Sequence, residues 1–164
     1  MGNDLVIRPA GAADFDGIWE IFHSVVGKGD TYVYDPATTK EEARAIWMAP
    51  ALRTYAALLD GQVVGTYILK ANQPGLGSHV VNAGYMVHPG HSGKGIGRAL
   101  CEHSLGEARA AGFLAMQFNA VVSTNETAVA LWKKMGFAIV GTVPQAFRHR
   151  TRGLVDLHVM HRFL

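Results

Sequence analysis

Residues 87–100 read VHPGHSGKGIGRAL, a glycine-rich loop that joins a strand pattern to a helix pattern. An apolar run over residues 83–87 precedes the loop, and Gly93, Gly95 and Gly97 stand at alternate positions within it. Glycine has no Cβ, so its backbone can approach a ligand closely, and the first N–H groups of a helix have no partner inside the helix. The helix dipole adds partial positive charge there. The stretch therefore predicts a strand, a loop and a helix that together bind a pyrophosphate.

Two common phosphate-binding motifs do not fit this loop. The dinucleotide fingerprint needs glycine at its sixth position, which is Arg98 when counted from Gly93 and Leu100 when counted from Gly95. The P-loop needs Ser or Thr after Gly-Lys, and both Gly-Lys pairs of the chain are followed by glycine. A tight connection that binds no ligand is the alternative that the loop alone leaves open.

The spacing of the loop instead resembles the acetyl-CoA loop of the GCN5-related N-acetyltransferases, the GNAT family. That loop follows the pattern Gln/Arg-x-x-Gly-x-Gly/Ala. In this chain Gly95 and Gly97 match the pattern, while Ser92 stands where the family usually has Gln or Arg.

A second segment, residues 125–137, resembles the other marker of the same family. It reads NETAVALWKKMGF, and the marker is Asn-x-x-Ala-x-x-Leu-Tyr-x-x-x-Gly-Phe. Every marked position matches except Trp132, where the family usually has Tyr. The resemblance implies an α/β fold of the GNAT type: a mixed, mostly antiparallel, twisted sheet of about six or seven strands with helices on both faces. Acetyl-CoA would lie in a gap where two strands splay apart.

Composition predicts one soluble domain over residues 1–164. The apolar fraction of 49% is enough for a packed core, and the net charge of +2 gives no argument for a nucleic-acid partner. Cys101, the single cysteine, excludes an internal disulfide and is predicted to be a buried thiol. The chain starts without a secretory signal pattern, and its apolar runs are shorter than the roughly 20 residues of a membrane span. We expect a cytoplasmic protein that does not bind membranes.

Hydrophobic periodicity and turn residues predict the element order β-α-α-β-β-β-α-β-α-β-β. The first strand covers residues 5–7 and stops before Pro9, and the fifth covers residues 113–118. The last two strands cover residues 137–143 and 154–163, and a basic loop over residues 147–152 joins them. Thr39 and Glu42 form a capping box at the start of the second helix. One face of the last strands is left exposed, which makes a homodimer a reasonable expectation.

The resemblance also implies which residues bind acetyl-CoA, and it implies no metal. Backbone N–H groups of the loop would hold the pyrophosphate, from Ser92, Gly93, Lys94, Gly95, Ile96, Gly97 and Arg98. The end of the preceding strand, Met86, Val87 and His88, would bind the pantetheine amides and the acetyl carbonyl. Asn125 and Trp132 would contribute from the second marker.

The family transfers the acetyl group directly to an amine, so a proton must leave the ammonium form of the acceptor. The sequence offers His79, His88 and Tyr85 as candidate bases, and an ordered water is equally possible; histidine has the most suitable pKa. Trp132 replaces the tyrosine that many members place near the sulfur, and an indole N–H cannot act as an acid. We expect Trp132 to pack against the cofactor or in the core.

Two asparagines interrupt apolar strands, Asn82 and Asn119. On the implied fold they flank the splayed strands, which predicts catalytic and substrate-binding roles, with local hydrogen bonding as the alternative. Similar asparagines occur in a subgroup that acetylates small amino acids and proline analogues. Tyr32, Tyr34 and Phe147 are the other predicted substrate contacts.

These observations predict an N-acetyltransferase acting on a small amino acid or amine. A protein N-terminal or lysine acetyltransferase on the same fold is the first alternative. A non-catalytic acyl-CoA-binding sensor is the second, because Ser92 and Trp132 depart from the family pattern.

Overall fold

The computed structural model describes residues 4–164, so the prediction about the start of the chain rests partly on residues outside the described part. Seven strands form one sheet: β1 (Val6–Pro9), β2 (Arg53–Leu59), β3 (Gln62–Ala71), β4 (Val80–Val87), β5 (Ala115–Val122), β6 (Ala138–His149) and β7 (Gly153–Phe163). The helices are α1 (Phe15–Gly27), α2 (Lys40–Trp47), α3 (Ile96–Ala110) and α4 (Glu126–Lys134). The predicted element order is confirmed.

The strands lie in the order β1-β2-β3-β4-β5-β7-β6. Every neighbouring pair is antiparallel except β4 and β5, which are parallel. Of the two larger buried clusters, one joins the sheet to α1 and α2, and the second joins it to α3 and α4. Because the two clusters draw on different strand residues, the helices cover opposite faces, which confirms the predicted fold class.

Local sequence signals explain how the elements start and turn. Thr39 and Glu42 form the predicted capping box, with Thr39 Oγ1 accepting from the Glu42 N–H and the Glu42 carboxylate accepting from the Thr39 N–H. Asp60 and Gly61 both have positive φ, 49° and 78°, as a two-residue hairpin turn of Asp-Gly requires. In α1 the side chain of Val26 is buried, whereas that of Val25 is only partly buried at the edge of the cluster.

Three predicted strand boundaries are wrong. β1 includes Pro9, paired with Tyr55; an edge strand tolerates proline because the missing N–H faces away from the ladder. β5 continues past Phe118 to Val122 through an irregularity in its pairing with β7. β6 continues to His149, because pairing with β7 resumes after a shift in register. The predicted basic loop is therefore only the turn over residues 150–152.

The parallel pairing of β4 and β5 is short. It comprises Val80↔Ala115, Val81↔Met116 and Asn82↔Gln117, and the strands separate beyond these three pairs. The predicted splay is thus present where β4 runs on towards the glycine loop. No helix within residues 4–164 has the length and apolarity needed to cross a membrane.

Candidate functional site

A cavity of about 500 Å³ lies at the splay between β4 and β5. Its walls come from both strands, the start of α3, the side of α4 and the loop over residues 28–34. Most of the predicted site residues line it, namely Tyr32, Tyr34, Asn82, Met86, Val87, Ser92, Gly97, Asn119, Asn125 and Trp132. The fold thus brings the predicted cofactor and substrate residues to one place.

The glycine loop presents six consecutive backbone donors. From Gly93 to Arg98 the N–H groups donate to no protein acceptor within residues 4–164, and the first helical bond runs from the Ala99 N–H to the Gly95 carbonyl. Gly93 and Gly95 have φ of 76° and 80°, conformations that favour glycine. The Ser92 N–H is already used, since it donates to the Pro89 carbonyl at 3.3 Å. The donor set therefore fits a pyrophosphate without the Ser92 N–H, while Ser92 itself still lines the cavity.

The side chains of this loop contribute less than its backbone. Ile96 is buried in the core, and Arg98 forms an ion pair with Glu102 at 2.8 Å, which raises the pKa of Arg98. Lys94 borders a second cavity beside Asp60 and His91. Recognition of the phosphates thus falls to the N–H groups and the helix dipole.

The end of β4 offers the N–H groups of alternate residues to the gap. The His88 N–H donates to the Val64 carbonyl of β3 at 2.9 Å, and the β3–β4 register is unbroken. Backbone groups of successive strand residues point to opposite sides, so the N–H groups of Met86 and His88 face β3. Of the three residues, Val87 is the one whose N–H faces away from β3 and towards the cavity, and Tyr85 two positions earlier has the same orientation. Two of the three predicted backbone contacts are therefore corrected.

The three candidate bases do not bring a basic group into the cavity. Nδ1 of His88 accepts from the Gly90 N–H at 3.0 Å, so this ring caps the turn after β4. His79 is exposed at the start of β4 and does not line the cavity. The hydroxyl of Tyr85 lies at 2.7 Å from Ser104 Oγ under α3, and burial raises its pKa well above the ordinary value.

Asn82 marks the end of the parallel pairing. Its Nδ2 donates to the Gln117 carbonyl at 3.0 Å, which bridges the two strands and leaves Oδ1 as an acceptor. Asn119 is satisfied locally: its Nδ2 donates to Asn72 Oδ1 at 2.7 Å and its Oδ1 accepts from Gln117 Nε2 at 3.0 Å. The alternative of local hydrogen bonding therefore holds for Asn119 and for the amide nitrogen of Asn82.

The predicted aromatic contacts divide into two groups. Tyr32 and Tyr34 stack with ring centroids 5.8 Å apart, and burial raises the pKa of both hydroxyls. Phe147 instead packs against Val122 and Leu157 in a separate small cluster and does not line the cavity. The predicted contact of Phe147 with substrate has no support in this geometry, because β6 is longer than expected.

The second marker forms the wall opposite β4. Trp132 is buried, with its ring centroid 5.0 Å from Tyr85 and 4.9 Å from Phe118, and it also lines the cavity. Trp132 therefore packs in the core and also forms part of the cavity wall. Asn125 caps α4, where its Oδ1 accepts from the Ala128 N–H at 3.3 Å.

Three charged residues line the cavity that sequence reasoning missed: Lys28, Asp30 and Lys70. None of them takes part in the ion pairs found within residues 4–164. Oδ1 of Asp30 is buried without a hydrogen-bond partner in that part of the chain. Lys70 is directly opposite Asn82 in the β3–β4 register. Only a three-dimensional pairing identifies Lys70, because nothing in its local sequence marks it.

Comparison with known proteins agrees with this geometry. Residues 17–137 match the family model described as "Acetyltransferase (GNAT) family". The chain is 32% identical over 148 residues to N-acetyltransferase aca1 of Schizosaccharomyces pombe, which covers 80% of this chain and 71% of that protein. It is 30% identical over 144 residues to the L-amino acid N-acyltransferase MnaT of Escherichia coli, with 85% and 83% covered.

Solved structures show the same fold. A GCN5-related N-acetyltransferase from Kribbella flavida superposes with a TM-score of 0.93 at 48% identity and covers 98% of both chains. The structure of yncA from Salmonella typhimurium with its cofactor acetyl-CoA gives a TM-score of 0.83 at 27% identity, covering 98% of this chain and 94% of that one. The family match spans most of the chain and includes both markers. The chain belongs to the acetyltransferase (GNAT) family.

Proposed function

We propose that this protein is an N-acetyltransferase that moves an acetyl group from acetyl-CoA directly to the amine of a small amino acid or a close analogue. The observation that carries the proposal is the row of six N–H groups, Gly93 to Arg98, that find no acceptor in the described part of the chain and lie beside a cavity at the splayed strands. The names of MnaT as an L-amino acid N-acyltransferase and of yncA with acetyl-CoA support it.

Acetyl-CoA supplies the activated acetyl group when it is bound. The loop N–H groups would hold its pyrophosphate, and the gap beyond Asn82 and Gln117 gives room for the pantetheine arm. The Val87 N–H points into that gap and would stabilise negative charge on the acetyl oxygen in the transition state. A thiol with a pKa near 8.5 leaves readily as a thiolate, so Trp132 need not act as an acid.

The part of the cavity that is lined by Lys28, Asp30 and Lys70 would bind the amine substrate, and its charges of both signs suit a zwitterion. Lys28 and Lys70 would bind a carboxylate, and Asp30 with Asn82 Oδ1 would accept from an ammonium group. The candidate side-chain bases are engaged elsewhere or lie outside the cavity, so we assign the ammonium proton to a water beside Asn82 Oδ1.

A homodimer and a cytoplasmic location belong to the same proposal. The edge strand β6 exposes Val140 and Val143, at 61% and 49%, which gives an apolar face for a second copy. Sedimentation in the ultracentrifuge would test the dimer, and a monomer across micromolar concentrations would contradict it.

The test of the function is thiol release from acetyl-CoA with a panel of amines: free amino acids, proline analogues, polyamines, aminoglycosides and short peptides. We expect release with amino acids or their analogues. Release with peptides alone would move the protein to the protein acetyltransferases. Thermal stabilisation by acetyl-CoA without any release would favour a sensor, and no thermal shift would contradict the cofactor assignment.

The role of Lys70 is tested by comparing the KM of a Lys70 variant for an amino acid with its KM for the corresponding amide. We expect Lys70→Gln to raise the KM for the best amino acid and to leave the KM for its amide unchanged, because the amide has no carboxylate. Lys133→Gln on the exposed side of α4 is the control cation. An equal rise in the KM for the amino acid and for its amide would contradict the assignment of Lys70 to the substrate carboxylate.

A further inference from the structure

The hydroxyl of Tyr32 donates to the Tyr85 carbonyl at 2.6 Å, across 53 positions of sequence. Tyr85 lies on β4 beyond Asn82, where the pairing with β5 has ended. The even-numbered residues of β4 direct their backbone N–H and C=O groups to β3, as the bond from His88 to Val64 shows. The backbone groups of Tyr85 therefore face away from β3. The carbonyl therefore has no strand partner, and the Tyr32 hydroxyl takes the place of one.

The ring of Tyr32 is held firmly for this contact. It packs edge-on against Trp47 with centroids 6.2 Å apart and stacks on Tyr34. A Cβ at Gly84 would lie 3.3 Å from the Tyr32 hydroxyl, so glycine leaves the room that the phenol occupies. Burial raises the pKa of Tyr32, so the hydroxyl stays protonated and remains a donor over the working pH range.

The contact lies one peptide group before the Val87 N–H, which faces the cavity. The Tyr85 carbonyl and the Met86 N–H belong to one peptide plane, held by Tyr32 on one side and by β3 on the other. The following plane carries the Val87 N–H. That second plane also carries the Met86 carbonyl, which faces Thr66 of β3, so β3 holds both planes along one edge of β4. Tyr32 adds support along the opposite edge, where β5 is absent, and oxyanion donors are effective only when they are preorganised.

We propose that Tyr32 is a positioning residue, which replaces the missing strand neighbour of β4 and, together with β3, holds the direction of the Val87 N–H. The proposal rests on the proposed function and changes the predicted role of Tyr32 from substrate contact to support of the backbone. Tyr32 would then act on the rate of acetyl transfer rather than on the binding of the amine.

The kinetic test compares Tyr32→Phe with Tyr55→Phe. The control removes a tyrosine hydroxyl whose hydrogen bond, to Glu107, is also 2.6 Å long and lies outside the cavity. We expect Tyr32→Phe to lower kcat about tenfold, a part of the loss seen when an oxyanion donor is deleted, with little change in either KM. Tyr55→Phe should leave kcat unchanged. An increase in the KM for the amine at constant kcat would show a substrate contact and overturn the proposal.

A spectroscopic test decides the structural part without any turnover. We expect Tyr32→Phe to shift the NMR signals of the Tyr85 carbonyl carbon and the Val87 amide in the free protein, and Tyr55→Phe to leave them in place. Gly84→Ala, which crowds the same hydroxyl, should move the same two signals. Unchanged signals would overturn the proposal. A wild-type protein that is silent with every amine would contradict the proposed function, while these signals would still decide the role of Tyr32.

Discussion

At the scale of single residues, Gly95 shows most directly how backbone conformation serves the site. Its φ is 80°, and, chain neighbours aside, a Cβ there would meet no atom of residues 4–164 within 4 Å. Gly95→Ala therefore causes no clash in the free protein, but it adds backbone strain and blocks close approach to the loop donors. We expect the KM for acetyl-CoA to rise about tenfold, which equals about 1.4 kcal/mol of binding, with the KM for the amine unchanged.

Gly61→Ala is the matched control for this substitution. Gly61 has φ of 78°, and an added Cβ there also has no contact within 4 Å among the described residues beyond its chain neighbours, but it lies in the turn between β2 and β3. Both variants should lose similar thermal stability, and only Gly95→Ala should weaken the binding of acetyl-CoA. Equal KM values for acetyl-CoA in the two variants would show that the glycine loop does not bind acetyl-CoA.

Cys101 gives a second prediction at this scale. Its thiol is buried in the core, and burial raises its pKa to about 12. At pH 8 the folded protein therefore holds the unreactive thiol form, since the thiolate is the nucleophile. We expect an aromatic disulfide reagent to detect no thiol until guanidinium unfolds the chain, and then one per chain. Rapid reaction of the folded protein would contradict the burial of Cys101.

At the scale of elements, the junction of β1 and α1 depends on Asp14. Its carboxylate accepts from Arg8 at 2.8 and 2.9 Å and from the Gly11 N–H at 2.7 Å, and these bonds hold its pKa below the ordinary 3.8. A lowered pKa stabilises the fold above the unfolded value, and the gain is lost as the pH falls through the folded value. We expect Asp14→Asn to cost about 1–2 kcal/mol at pH 7.

The measurement is urea unfolding of both proteins at pH 7, 5, 4 and 3. The difference in unfolding free energy should stay constant down to pH 5 and narrow below pH 3.8. Asp16→Asn is the control, because Asp16 pairs with Lys40 at 2.8 Å but is 83% exposed, and such pairs contribute about 0–1 kcal/mol. A difference that widens in acid would show that the carboxylate is not the stabilising form.

Elements were easier to predict than their ends or their contacts. Capping residues and turn glycines act within a few positions, so the sequence showed the start of α2 and the hairpin turn after β2. The end of β6 depends on a register shift against β7, which no local pattern encodes. The glycine loop was visible for the same local reason. The bond from Tyr32 to the Tyr85 carbonyl and the position of Lys70 opposite Asn82 arise only when distant segments pair.

At the scale of the whole molecule, the sheet consists of two parts that meet at a narrow junction. The parts are β1 to β4 and β5 to β7, joined by three residue pairs of β4 with β5 and the Asn82 side-chain bond. Tyr85, Phe118 and Trp132 form an aromatic contact across the same junction. A ligand in the gap would touch Ser92 and Gly97 on one part and Trp132 on the other.

Acetyl-CoA should therefore protect both parts from hydrogen exchange. We expect slower exchange in segments 92–99 and 118–132, because the ligand lies between them, and about 1.4 kcal/mol more stability for each tenfold increase in ligand above its Kd. Adenosine 3′,5′-bisphosphate has the nucleotide but not the pantetheine arm, so it should leave segment 118–132 unprotected. If acetyl-CoA protected only the loop, the ligand would lie on the surface, and the splay would not be the site of acetyl transfer. Protection of both segments by acetyl-CoA alone would show that the pantetheine arm joins the two parts of the sheet.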